Sequence, residues 1–238
     1  MKKQISAALI AVFITFGAAA SLQAEQNKPV ELAAQTIEYN SATGLMTAQG
    51  GVRMIQDDAV LTGTSAEYNT KTREAYVAGG VKVVKGDATL TSAEVRSYDN
   101  NHLIATGGAV LVKGDNTLTG PKIDYYSDRQ YAVVPGGARL TMPDGFMTAN
   151  QIEAFIDQDK AVGTGNVHIV SDVRKLDAVA DNATYYGTKE GGQGKAILTG
   201  NARAVQDGNI LTGETLTIRM DDKAMDATGR TKLVVQPQ

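Results

Sequence analysis

Residues 74–85 read EAYVAGGVKVVK, and the spacing of their apolar side chains decides the fold. Val77 and Ala75 stand two and four positions before Gly79; Val81 and Val83 stand two and four after it. Period-two alternation carried through a glycine predicts one β-strand with one buried face. The glycine pair lets the strand bulge or bend at its middle.

The same segment recurs along the chain. Gly50, Gly79, Gly107, Gly136, Gly165, Gly200 and Gly229 are separated by 29, 28, 29, 29, 35 and 29 residues. The one long step contains Thr188–Gly194, which reads as a lengthened hairpin loop. A fixed period of this size marks a repeat architecture in which each unit buries its face against its neighbours. Across the seven copies, the four flanking columns hold 28 residues, none of them charged. They include Met54, Val81, Val83, Leu103, Leu111, Leu140, Val167, Ile169, Leu198 and Leu233.

Each copy also holds a second strand. It opens at Leu32, Leu61, Leu90, Leu118, Met147, Ala178 and Leu211, and five residues later come Ile37, Ala66, Val95, Ile123, Ile152, Ala183 and Leu216. An odd step changes parity, so this strand must kink between its two apolar parts. Between strands stand Asp58, Asp87, Asp115, Asp144 and Asp207 on one side, and Asn40, Asn69, Asp99, Asp128 and Asp221 on the other. Asp, Asn and Gly tolerate the backbone that tight hairpins need. The expectation is an all-β chain: an elongated antiparallel stack of V-shaped rungs, built from about seven 29-residue repeats. Fourteen such rungs at about 4.8 Å would extend roughly 65–70 Å.

The ends of the chain add two expectations. Lys2 and Lys3, an apolar run from Ile5 to Ala20, and small residues before Glu25 describe a signal peptide over residues 1–24. The run is shorter than the roughly 20 residues of a membrane span, which favours cleavage over a retained anchor. Residues 25–238 are then one repeat domain, with 21 basic against 26 acidic residues and a net charge of −5. A stacked sheet also leaves unpaired backbone at its first and last strands, near Leu32, Ile37 and Tyr39 and near Leu233 and Val235. Head-to-tail association through those edges is expected.

Several function classes are excluded. Net charge is −3 for the full chain, without the basic surplus of a phosphate-neutralising nucleic-acid binder. The absence of cysteine removes thiol catalysis, disulfides and Cys-ligated zinc. His102 and His168 are the only histidines, and neither falls on an apolar column, so no nucleophile–His–carboxylate set and no metal site can be assembled. Catalysis and cofactors are therefore not expected. The residue three after each glycine is Arg53, Lys82, Val110, Arg139, His168, Arg203 or Lys232. This outward basic column is expected to pair across strands with Glu38, Glu67, Asp124 and Glu153, as surface ion pairs do.

The phrases Ile197-Leu198-Thr199-Gly200-Asn201-Ala202 and Leu211-Thr212-Gly213-Glu214-Thr215-Leu216 resemble the repeats of the OstA/LptA family. So do Ala75-Tyr76-Val77-Ala78-Gly79-Gly80-Val81 and Leu61-Thr62-Gly63-Thr64-Ser65-Ala66-Glu67-Tyr68. The resemblance implies that the stack is an elongated, twisted antiparallel β-jelly-roll, and that the chain is a periplasmic lipopolysaccharide-transport protein for outer-membrane assembly, shielding acyl chains in an apolar groove. It implies as partners lipopolysaccharide or a related lipid, further copies of the chain, and the inner- and outer-membrane transport components. The groove residues would be Met54, Leu61, Val81, Val83, Leu90, Leu103, Leu111, Leu118, Leu140, Val167, Ile169, Leu198, Leu211 and Leu233. This chain is longer than the usual bridge, and its apolar columns are rich in Ala. The alternative is a secreted structural or glycan-binding repeat whose crease is a sealed core.

Overall fold

The structure is a computed structural model that describes residues 31–56, 58–98, 102–187, 194–220 and 224–236. The proposed signal peptide and the Thr188–Gln193 part of the long loop lie outside the described residues. The strands are β1 (Glu31–Ala33), β2 (Thr36–Asn40), β3 (Leu45–Gln56), β4 (Ala59–Asn69), β5 (Glu74–Lys85), β6 (Ala88–Tyr98), β7 (His102–Lys113) and β8 (Asn116–Tyr126). After a short 3-10 turn at Ser127–Arg129 come β9 (Tyr131–Met142), β10 (Gly145–Phe155), β11 (Lys160–Ser171) and β12 (Leu176–Tyr186). The last four are β13 (Lys195–Gln206), β14 (Asn209–Arg219), β15 (Met225–Thr228) and β16 (Lys232–Val234). No α-helix occurs among the described residues, so the all-β antiparallel expectation is met.

Two compact units divide the chain. Among the described residues, the first holds those within 31–114 and 121–130, the second those within 115–120 and 131–236. In the first, β3 to β7 pair antiparallel in chain order, and β1 and β2 both pair with β3, one on each half of it. In the second, β9 to β14 pair in chain order, and β15 and β16 share β14 in the same way.

The kink read from the parity change is a β-bulge. Gln49 pairs with Ser65 but Val52 pairs with Gly63, so Gly50 and Gly51 face the single residue Thr64. The shift recurs in every long strand pair whose register is described, for instance at Ala78/Val81 and at Thr199/Ala202. On β6 the buried positions run Ala88, Leu90, Ser92 and then Val95; on β12 they run Leu176, Ala178, Ala180 and then Ala183. The inward set therefore stays inward on both halves of a strand, because the bulge absorbs the odd residue.

Glycine is required at the bulge for two reasons that separate at Gly107 and Gly108. Both have φ near +80°, a conformation costly for L side chains. A Cβ on Gly107 would also collide with the Cβ of Ala93, whereas one on Gly108 would meet open space. In the two copies where the second glycine is Asn166 or Asn201, φ is again positive, at 50° and 48°. Asn is the residue that tolerates this best after Gly.

Turn chemistry follows the sequence as well. Asn40 Oδ1 accepts from the N–H groups of Ala42 (3.0 Å) and Thr43 (3.1 Å), and Asn69 Oδ1 from those of Lys71 (2.9 Å) and Thr72 (3.2 Å). These are Asx turns at matching places in consecutive repeats. Asp207 and Gly208 both have positive φ, the signature of a type I′ hairpin.

Among the described residues, the basic column does not pair with Glu38, Glu67, Asp124 or Glu153 as expected. Antiparallel register sets Arg53 opposite Thr62, Lys82 opposite Thr62 and Thr91, Arg139 opposite Thr148, and Arg203 opposite Val179 and Thr212. The acids lie on the other half of the strands, where Glu67 faces Thr47 and Tyr76, and Glu153 faces Val133 and Val162. Cations three after the glycine and acids beyond the kink are thus separated by the bulge itself. Asp124 instead takes Lys122 Nζ at 2.6 Å and His102 Nε2 at 3.4 Å. Arg139 lays its guanidinium 3.6 Å above the Phe146 ring, and His168 contacts Asp177 at 3.2 Å.

Candidate functional site

The inward columns build the core of each unit. In the first, Met54, Leu61, Val81, Val83, Leu90 and Leu111 are buried and Leu103 is half-buried. In the second, Leu118, Leu140, Val167, Ile169 and Leu198 are buried and Leu211 is half-buried. Burying a Leu, Ile, Val or Met side chain contributes about 1.5–3 kcal/mol, so these columns hold the strands together whatever else they do. Leu233 stands apart at 61% exposure on β16, beside Leu211 of β14.

Within the second unit the two strand halves leave space between them. A cavity of about 520 Å³ lies there, of a size ordinary for sites that take apolar ligands. Leu118, Leu140 and Ile169, three of the fourteen expected groove residues, line it. Ile152, Phe155, Ile156, Leu176 and Tyr185 complete much of the apolar wall. Ile152 belongs to the apolar column of the second strand, whereas Phe155, Ile156 and Leu176 flank the turns and lie outside the repeating apolar columns.

Polar groups gather at the rim. Arg174, in the turn between β11 and β12, donates from Nε (3.1 Å) and Nη2 (2.9 Å) to Asp144 Oδ2 in the turn between β9 and β10. Its Nη1 donates to the carbonyl oxygen of Met220, at the far end of β14. The guanidinium thereby joins one side of the hairpin turns to the other, and Arg174, Asp144 and Met220 all border the cavity. Ser171 Oγ accepts from the Arg174 N–H at 3.3 Å, and Gln206 Nε2 donates to the Arg174 carbonyl at 3.3 Å, which hold the turn in place. Burial pushes the Tyr185 hydroxyl above its ordinary pKa; the carboxylates of Asp159 and Asp144 push the same way and Arg174 opposes them. Tyr185 therefore presents a neutral phenol to the cavity.

The expected edge residues lie where edges are. Leu32 is half-buried on β1, Ile37 and Tyr39 are 46% and 58% exposed on β2, and Val235 is 64% exposed just past β16. Among the described residues, no group of three or more acidic or histidine side chains converges as metal ligands would. No helix there is long and apolar enough to cross a membrane, which says nothing of strands.

Comparison with known proteins adds a family. A family described as LptA/(LptD N-terminal domain) LPS transport protein matches residues 61–224, and one described as OstA-like protein matches residues 20–94. Among solved structures, the chain is similar to LptH of Pseudomonas aeruginosa, described as the LptA-homologous periplasmic component of the lipopolysaccharide transport device. Identity is 12% over 88% of this chain and 96% of that one, with a TM-score of 0.18, a likeness on which nothing further rests. No curated protein matches the chain.

Proposed function

Because the chain belongs to the family of LptA and LptD N-terminal-domain LPS transport proteins, we propose that it is a periplasmic carrier that shields lipopolysaccharide acyl chains between its strand halves. The observation that carries this reading is the 520 Å³ apolar cavity bordered by Leu118, Leu140 and Ile169. Exposing an acyl chain to water costs about 0.8 kcal/mol per CH₂, so a dozen-carbon chain costs on the order of 10 kcal/mol. An apolar crease removes that cost along its length with no chemistry, and the energy for movement comes from elsewhere. Within the second unit Val167, Leu198 and Leu211 would extend the path, with Leu233 at its open end, and within the first unit the inward residues from Met54 to Leu111 would offer a like surface. The periplasmic location is supported by the basic, apolar and small-residue pattern of residues 1–24.

The reading includes bridging from inner to outer membrane by strand addition at the edges. β1 and β2 pair on one side only among the described residues, and so do β15 and β16. Such edges accept further strands. Deleting residues 231–238 removes β16 and is expected to abolish head-to-tail oligomers while leaving the circular dichroism β-rich; oligomers that persist refute the edge assignment.

The groove is tested with a photo-crosslinking residue placed in turn at Leu111, Leu140 and Ile169, with exposed Arg139 as control. Lipid adducts in cells at the inward positions and none at Arg139 are expected. No adduct from a folded, exported protein would mean a sealed core and a structural repeat.

A further inference from the structure

One row of outward side chains in the second unit gathers aromatic rings and cations across six consecutive strands. Register places Tyr131 opposite Phe155, Phe155 opposite Lys160, Lys160 opposite Tyr186, Tyr186 opposite Lys195, and Lys195 opposite Arg219. The six residues thus form one continuous line across β9 to β14, about 24 Å long at the usual strand spacing. Their inward neighbours Ala132, Ala154, Ala161, Ala196 and Ile218 are buried, so alternation turns the row outward.

The row alternates ring faces with cations. The Tyr131 and Phe155 rings lie 5.2 Å apart, Lys160 Nζ is 4.7 Å from the Phe155 ring centre, and Lys195 Nζ is 5.3 Å from that of Tyr186. Arg219 pairs with Asp226 at 2.5 Å and the Tyr131 hydroxyl donates to Glu153 at 2.7 Å. Lys160 and Lys195 make no ion pair among the described residues. This local positive excess stands in a chain whose net charge is −3. In the first unit the corresponding line runs Asn40, Leu45, Asn69 and Glu74 before it reaches Tyr98 and His102, and it carries no lysine or arginine.

The row also meets the cavity, because Phe155 and Lys160 border it. An amphiphile with its chain in the cavity has these two side chains, with Arg174, within reach of its head group. Aromatic faces carry negative charge density that attracts the C–H faces of sugar rings, and lysine ammonium and guanidinium groups bind phosphate and carboxylate.

Resting on the transport reading above, we propose that the row Tyr131–Phe155–Lys160–Tyr186–Lys195–Arg219 binds the anionic saccharide of the glycolipid whose acyl chain occupies the cavity. The chain would then be guided twice, by an apolar interior and by a saccharide track on the outer face beside its mouth.

The experiment titrates the full chain with the phosphorylated oligosaccharide freed of lipid from lipopolysaccharide, with the same oligosaccharide after phosphatase treatment, and with phosphatidylglycerol vesicles. The doubly substituted Lys160→Gln, Lys195→Gln protein is expected to bind the phosphorylated oligosaccharide at least about fivefold more weakly, as loss of two charge-assisted contacts implies. Phosphatase treatment should weaken binding similarly, Arg203→Gln should leave it unchanged, and Lys160→Arg with Lys195→Arg should retain it. Retention in the arginine pair separates lost charge from lost folding. Equal binding by the wild-type and glutamine proteins, no oligosaccharide binding at all, or lysine-dependent binding to vesicles alone overturns the proposal. Adducts at Leu140 and Ile169 that survive in those cases leave the transport reading standing, whereas their absence from the wild-type protein removes that reading itself.

Discussion

Replacing Ile169 by Trp separates a carrier from a sealed core. Ile169 is 8% exposed, pairs with Met147 on β10 and Ala178 on β12, and borders the 520 Å³ cavity. An indole there has open space in front of it, so the usual overpacking cost of about 1–3 kcal/mol should largely be avoided. The ring would instead displace part of the cavity's occupant. Excluding four methylenes at about 0.8 kcal/mol each removes about 3 kcal/mol, or roughly two orders of magnitude in affinity. The assay is displacement of a fluorescent single-chain amphiphile, paired with urea unfolding of the same preparations. The expected result is about a hundredfold weaker binding with stability changed by less than about 1 kcal/mol. Unchanged affinity together with a loss of stability above that figure would refute the reasoning, since it describes a residue wedged into a closed core.

Two further outcomes follow from the rim. Arg174→Gln withdraws the donors that reach Asp144 and Met220, and it should destabilise the protein by about 1–3 kcal/mol in urea unfolding, with Asp144→Asn costing less. The Tyr185 phenol keeps its proton in the folded state at pH values where the unfolded chain, with an ordinary tyrosine pKa of about 10, has released it. Its contribution is therefore fully present below about pH 10 and is lost as pH rises above it. Tyr185→Phe should flatten the alkaline fall of the urea midpoint, and an identical pH profile for the two proteins would contradict the assignment.

Much of the architecture was legible because a strand's side-chain period is an integer and its repeats are in phase. Val77, Val81 and Val83 around Gly79 announce a buried face, and the odd step from Leu61 to Ala66 announces the kink that the structure resolves as a bulge. The basic column misled because strand register depends on where each bulge falls. That choice carried Arg53 and Lys82 to threonines and left the acids on the other half. The outward aromatic and cationic row had a usable signal. The residue five before each glycine runs Leu45, Glu74, His102, Tyr131, Lys160, Lys195 and Ala224, and its change of character after Glu74 is visible in the letters alone. What the letters lack is the cross-strand partner, and only pairing sets Phe155 and Tyr186 between those cations.

The sequence by itself therefore determined the strands, their buried faces, the glycine bulges and the Asx and type I′ turns, since each depends on residues near one another in the chain. It determined the family as well, through motifs repeated in phase. Only the tertiary structure decided which buried residues face space and which face one another. Leu140 and Ile169 line the 520 Å³ cavity, whereas Ala204, buried in the same column of the same unit, does not. Arg174 reaches Met220 across 46 positions of sequence, a contact that no local pattern encodes. The reason is physical: alternation specifies which side of a sheet a residue occupies, but the gap between two strand halves is set by all the side chains packed into it together.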